Sequence, residues 1–143
     1  MSPAGRLVYF ARAVDGLDRD GVLAEAQNVA AELRERGLCM IDPVETWMRT
    51  AHQPAPDDPT GLVQSDLRLL RRSDAVLMDM SIRDRAYIGC ACELTYAHLW
   101  RIPSVVWVGD TGSEQRPWLR YHATKVVETR DQALESIAAL LVP

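Results

Sequence analysis

Among the acidic side chains of the sequence, Glu93 and Asp66 stand where chemistry is easiest to place. Glu93 lies about one turn into a helix that the pattern starts near Gly89, after the loop leaving an apolar strand, Ala75-Val-Leu-Met78. The positive end of the helix dipole favours an ionised carboxylate there, which suits a nucleophile better than a general acid. A carboxylate that merely offsets the dipole fits the same position, and spacing alone favours that simpler role. Asp66 sits in the middle of a helix expected over Thr60–Arg72. Aspartate is a modest helix former, so its place there needs a reason. With Leu62, Leu69 and Leu70 packing inward, Asp66 lies beside the buried stripe and can project toward the same crevice. An exposed face shared with Arg68 and Arg71 fits equally well. Two carboxylates converging on one pocket suit glycosidic bond cleavage, which uses an anionic partner for an oxocarbenium-like sugar and help for the leaving group. Asp42, Asp79 and Asp110, each at or just beyond a strand's carboxyl end, offer other pairings.

The elements that must position these groups alternate between strand and helix patterns, which predicts βαβ units and a parallel sheet. The first strand is Leu7–Phe10. A helix follows from Asp20, read as its N-cap, to about Arg36, with Val22, Ala26, Val29 and Leu33 at helical spacing. Gly37 is placed to stop it. Leu38–Ile41 is the second strand, ended by Asp42-Pro43. Val44–Thr50 reads as a short helix, and His52–Pro59, with three prolines, as a loop over the site. Beyond Ala75–Met78, the loop Ser81–Tyr87 leads to the helix Gly89–Trp100. Ser104–Val108 and Lys125–Val127 are the last strands, and Asp131–Leu141 closes the chain. The predicted fold is α/β, a three-layer sandwich around a five-stranded parallel sheet in the flavodoxin-like order 2-1-3-4-5. Ligands in such sheets bind beyond the carboxyl ends of the strands, near the switch point between strands 1 and 3. The loops after Phe10, Ile41, Met80 and Val108 are therefore expected to line the site.

Length and composition narrow the remaining classes. The 143 residues match the commonest size of one domain, and 48% hydrophobic with 25% charged residues is an ordinary globular balance. A net charge of -4 argues against a nucleic-acid partner, whose phosphates call for a basic excess. No apolar run approaches a membrane span, and MSPAGR does not read as a signal peptide. Cys39, Cys90 and Cys92, an odd number, suggest reduced thiols and a cytoplasmic location. Cys90-x-Cys92 has the wrong spacing for zinc or for a redox pair and reads as helix packing. His52, His98 and His122 are scattered without metal spacing, so neither a metal nor a cofactor is expected. Trp47 and Trp107 read as core or loop anchors. A receiver domain lacks its acidic pair after the first strand, and Ala11-Arg-Ala-Val14 lacks the Ser/Thr-rich loop that a flavin needs.

The ordered set Tyr9-Phe10, Gln64-Ser-Asp66-Leu, Ser73-Asp74-Ala-Val76 and Gly89-x-x-x-Glu93-Leu resembles the nucleoside 2-deoxyribosyltransferase family. Its relatives include the 2′-deoxynucleoside 5′-phosphate N-hydrolases and the CMP N-glycosidases. The resemblance runs from the first strand to Val108. It implies that Glu93 attacks the anomeric carbon and forms a glycosyl-enzyme, and that Asp66 orients the nucleophile or the leaving base. Tyr9, Arg12, Asp15 and Gly16 would contact sugar and base, together with Tyr87 and Gly89 of the motif segment. The substrate would be a small nucleoside or nucleoside 5′-monophosphate. A homodimer or larger assembly is implied too, and Trp118–Thr124, with His122, is the segment that could reach a neighbour's site. Two departures bear on phosphate. Ala11-Arg12-Ala13 replaces the small Gly/Ser residues of the first loop, and Tyr87 stands where relatives often carry Ser. Arg12, Arg83 or Arg85 could then hold a phosphate through charge-assisted bonds, or the substrate could be unphosphorylated. The altered first loop also suits a catalytically silent ligand-binding domain, against which stand Glu93 and Asp66.

Overall fold

The structure is a computed structural model that describes residues 5–45 and 59–142. Five strands, β1 (Arg6–Arg12), β2 (Leu38–Ile41), β3 (Ala75–Asp79), β4 (Ser104–Trp107) and β5 (Lys125–Val127), pair in parallel in the order β2-β1-β3-β4-β5. Helices α1 (Arg19–Glu35), α2 (Thr60–Arg71), α3 (Ile88–Leu99), α4 (Pro117–His122) and α5 (Arg130–Leu141) cover both faces. This is the predicted flavodoxin-like arrangement.

Strand alternation sorts side chains into two cores. Val8 and Phe10, Ala75 and Leu77, and Val105 and Trp107 pack with Val29 and Leu33 of α1 and Leu134 and Ile137 of α5. Tyr9 and Ala11, Val76 and Met78, and Val106 and Val108 face Leu70 of α2, Cys90, Leu94 and Ala97 of α3, and Leu119 of α4. Burial on both faces explains the unbroken apolar runs of these strands. Trp107 is a core anchor stacked on Phe10, as its sequence context implied. The chain crosses from the α1 side to the α2 side between β2 and β3, so the connections diverge between β1 and β3 and leave a crevice there.

Local signals set the helix ends. Asp18, not Asp20, caps α1, because its extended backbone lets its carboxylate accept the Gly21 N–H at 3.0 Å, and this places Asp20 inside the first turn. Gly37 ends the helix at φ 78° as anticipated. Thr129 and Gln132 form a reciprocal capping box on α5. β1 runs two residues past Phe10, so Arg12 belongs to the strand end rather than to a loop. Helix α4, opened by Pro117 at its first position, was not foreseen as a helix. Residues 43–45 are helical; the rest of the expected Val44–Thr50 helix, Trp47, His52 and the proline loop up to residue 58 lie outside the described residues.

The loops after β3 and β4 approach closely at Gly109. It adopts φ 58°, and a Cβ there would lie 3.2 Å from Ser81 Cβ and 3.3 Å from its carbonyl oxygen. A side chain at this position would strain the backbone and push the two loops apart.

Candidate active site

A cleft of about 540 Å³ occupies the crevice between β1 and β3. Its size suits a small organic ligand. The β1 end supplies Arg12, Val14 and Asp15, the β2 end Pro43 and Val44, α2 Leu62 and Asp66, and the segment 84–93 Tyr87, Gly89, Cys90 and Glu93. Three of the four loops expected to line the site do so. The loop after Val108 does not reach this cleft among the described residues, because it is turned toward α4 instead.

Glu93 is the sixth residue of α3, past the first turn where the helix dipole acts. Its carboxylate accepts a short hydrogen bond from the hydroxyl of Tyr9, a fully buried residue that is not among those lining the cleft. Burial is the largest influence on Glu93 and raises its pKa to about 7, with the Asp66 charge adding to the rise. The Tyr9 bond and the Arg12 charge oppose it. Desolvation therefore outweighs the dipole, and the expectation of a plainly ionised Glu93 is corrected on that ground. Asp66 is partly buried on the same cleft, and burial followed by the Asp42 charge raises its pKa to about 6. The alternative of a solvated face shared with Arg68 and Arg71 does not hold. Tyr9 is fully buried, and burial together with Glu93 keeps its phenol protonated, hence a permanent donor.

Arg12 lines the cleft without offering it a free charge. Its guanidinium makes a bidentate pair with Asp42, Nη1 to Oδ1 at 2.7 Å and Nη2 to Oδ2 at 2.9 Å, and stacks 4.2 Å over the Phe10 ring. The two side chains are 5% and 1% exposed. Asp42 Oδ1 also accepts the Val44 N–H, fixing the chain as it leaves β2. The pair is a strut between the ends of β1 and β2. Asp42→Ala should destabilise the fold by about 3–5 kcal/mol, because it strands a buried guanidinium; urea unfolding monitored by circular dichroism checks this.

The other sequence candidates divide. Asp15, Tyr87 and Gly89 line the cleft. Gly16 does not; it sits at φ 75° in the turn closed by the Leu17 N–H on the Val14 carbonyl. His122 lies away from this cleft on α4, its Nδ1 2.7 Å from the Trp118 carbonyl oxygen and its ring stacked on Trp118. Cys90 lines the cleft and is buried, and burial, then Glu93, pushes its thiol pKa up, so it stays protonated. Cys92 is exposed, since it falls on the opposite side of α3 from Cys90 and Leu94, and does not join the pocket wall. Among the described residues no group of three or more His, Cys, Asp or Glu side chains could hold a metal, and no helix is long and apolar enough to cross a membrane. Two contacts went unread in the sequence. A tyrosine in a central buried strand needs a hydroxyl partner, which could have pointed from Tyr9 to Glu93. Opposite charges just at the ends of neighbouring strands could have paired Arg12 with Asp42.

No family model and no curated protein matches the sequence. Solved structures do. A 2-deoxyribosyltransferase from Bacillus psychrosaccharolyticus superposes with a TM-score of 0.68 at 16% identity, covering 92% of this chain and 90% of its own. One from Leishmania mexicana gives 0.70 at 19% identity, covering 94% and 97%. A CMP N-glycosidase from Clostridium botulinum gives 0.58 at 13% identity, covering 95% and 100%. Over more than nine-tenths of its length, the chain therefore has the fold found in two 2-deoxyribosyltransferases and a CMP N-glycosidase.

Proposed function

We propose that the protein cleaves the N-glycosidic bond of a nucleoside or nucleoside 5′-monophosphate and belongs with the nucleoside 2-deoxyribosyltransferases. The observation that carries this reading is Glu93, bonded to Tyr9 and lining, together with Asp66, a cleft of about 540 Å³. The fold of the solved relatives supports it. A Glu93 oxygen attacks C1′, the C1′–N bond breaks with its electron pair going to the base, and Asp66 delivers a proton to that base. Water then attacks C1′ and gives its proton to Asp66, and the ester breaks to restore the Glu93 carboxylate. A second base in place of water gives transfer instead of hydrolysis. The reading includes a homodimer or larger assembly, for which the exposed Trp118, Tyr121 and Leu99 provide an apolar face.

Incubation with a panel of nucleosides and their 5′-monophosphates, scored chromatographically for free base, tests the proposal. Adding a second base to each reaction separates transferase from hydrolase. Release of base from no panel member would favour a silent ligand-binding domain.

The acid–base pair gives a further expectation. Glu93 and Asp66 titrate together, and the reactive form carries one proton, on Asp66. kcat/KM should therefore peak between about pH 6 and pH 7. Tyr9→Phe removes a bond that favours ionised Glu93 and raises the Glu93 pKa by about one unit. The alkaline limb then moves up by about that much. The peak falls roughly tenfold, because fewer molecules keep the proton on Asp66 and the charge on Glu93. A purely packing role for Tyr9 would lower the rate without moving the limb.

A further inference from the structure

On the far side of Tyr87 lies a second hollow, of about 390 Å³, between the loops after β3 and β4. Its lining includes Arg83, Arg85, Arg116, Thr111 and Ser113. Three guanidinium groups face one lining carboxylate, Asp84, in a chain whose overall charge is -4. Positive charge gathered in one recess of an acidic protein selects for an anion.

The recess is built rather than loose. The Gly109–Ser81 approach fixes the spacing of its two loops. The Tyr87 hydroxyl accepts the Ile82 N–H at 2.9 Å and closes the segment 82–87 on itself. Within that segment Asp84 takes φ 60°, a left-handed turn that aspartate tolerates better than most residues. Arg85 donates to the Asp15 carbonyl and ties this segment to the loop after β1. Arg83 donates from Nη2 to the Asp110 carbonyl at 2.7 Å and from Nε toward its carboxylate at 3.3 Å. That leaves the Nη1 donors of Arg83 unspent. Arg116 has no side-chain partner among the described residues, and the Ser113 hydroxyl likewise has none. Asp84, Arg85 and Tyr87 line both this recess and the cleft that holds Glu93. The two hollows therefore adjoin across these side chains.

We propose that the recess takes the phosphate monoester of a nucleotide substrate whose sugar lies against Glu93. This rests on the function proposed above and selects the 5′-monophosphate over the nucleoside. A monoester dianion carries about two negative charges; Arg85 and Arg116, neither in an ion pair among the described residues, oppose them, while the Arg83 charge is shared with Asp110. The planar donors of Arg116 and Arg83 suit its oxygens. Arg12, spent on Asp42, is not the phosphate ligand.

The test is calorimetric titration of Glu93→Gln protein with a panel of nucleoside 5′-monophosphates, the matching nucleosides and inorganic phosphate. The expected result is that at least one monophosphate binds about tenfold or more tightly than its nucleoside. That advantage should shrink to about twofold or less when Arg83→Gln and Arg116→Gln are added. It should also weaken as salt rises. Equal binding of nucleoside and monophosphate would overturn the assignment, as would an advantage that survives loss of both arginines. Binding of inorganic phosphate alone through Arg116, with no advantage for any monophosphate, would overturn it too. Base release by the wild type with no preference for phosphate would sink the recess and spare the proposed reaction. A monophosphate held through Arg116 but never cleaved would do the reverse.

Discussion

Glu93→Gln protein is expected to release no measurable base from any substrate of the wild type, a loss of about 10⁴-fold or more. The amide has no negative oxygen to form the ester with C1′, yet it matches the carboxylate in volume and still accepts the Tyr9 hydroxyl bond. The fold should survive, and its stability should carry a signature. Burial raises the Glu93 pKa from its ordinary 4.5 to about 7. Between those values the folded chain binds more protons at this site than the unfolded chain, so stability falls as pH rises through the window. Glutamine does not titrate. The variant should melt at about the wild-type temperature near pH 4.5 and above it at pH 8, as scanning calorimetry can show. Unchanged turnover would remove Glu93 from the mechanism; equal melting at both pH values would mean the carboxylate is better solvated than its surroundings imply.

Asp66→Asn is expected to slow turnover by about 10²–10⁴-fold, the usual worth of a positioned proton donor. The loss should depend on the leaving group. A base that departs readily as an anion needs little protonation, so its release should suffer least, whereas a poor leaving group should show the full effect. The pH profile should change shape as well. With Asp66 gone only Glu93 titrates, so the rate should climb with pH and level off without an alkaline fall. The Glu93 pKa itself should drop, since the Asp66 charge contributes to its rise. A uniform loss across leaving bases, with the alkaline fall kept, would show that Asp66 does not donate the proton.

The strands and layers were legible because β1, β3 and β4 are continuous apolar runs separated by helical periodicity, and burial of both sheet faces demands that pattern. The order of the strands is not contained in that periodicity and came from the flavodoxin-like arrangement. The position of Glu93 followed from the same grammar, one helix beyond the switch-point strand. What was not legible depends on distances that the sequence does not encode. Whether Glu93 meets solvent or a tyrosine is decided by the angle at which α3 crosses β1, and this is why its ionisation was misjudged from the dipole. Arg12 looked like a ligand-binding cation because Asp42 is 30 residues away in the chain. Only the parallel pairing of β1 with β2 brings the two ends together. The arginine recess was invisible as a unit, since Arg83 and Arg116 belong to different loops brought together by the approach at Gly109 and the Arg83–Asp110 contact.

The alternation along β1 has an evolutionary consequence. Tyr9 reaches Glu93 only because Val8 and Phe10 are committed to the opposite layer. A single residue inserted or deleted just upstream would turn the phenol toward α1 and α5 and send Val8 or Phe10 to meet Glu93. Length variation among homologues should thus be absent from this strand and accumulate in the connections, and the tyrosine can be exchanged but not displaced.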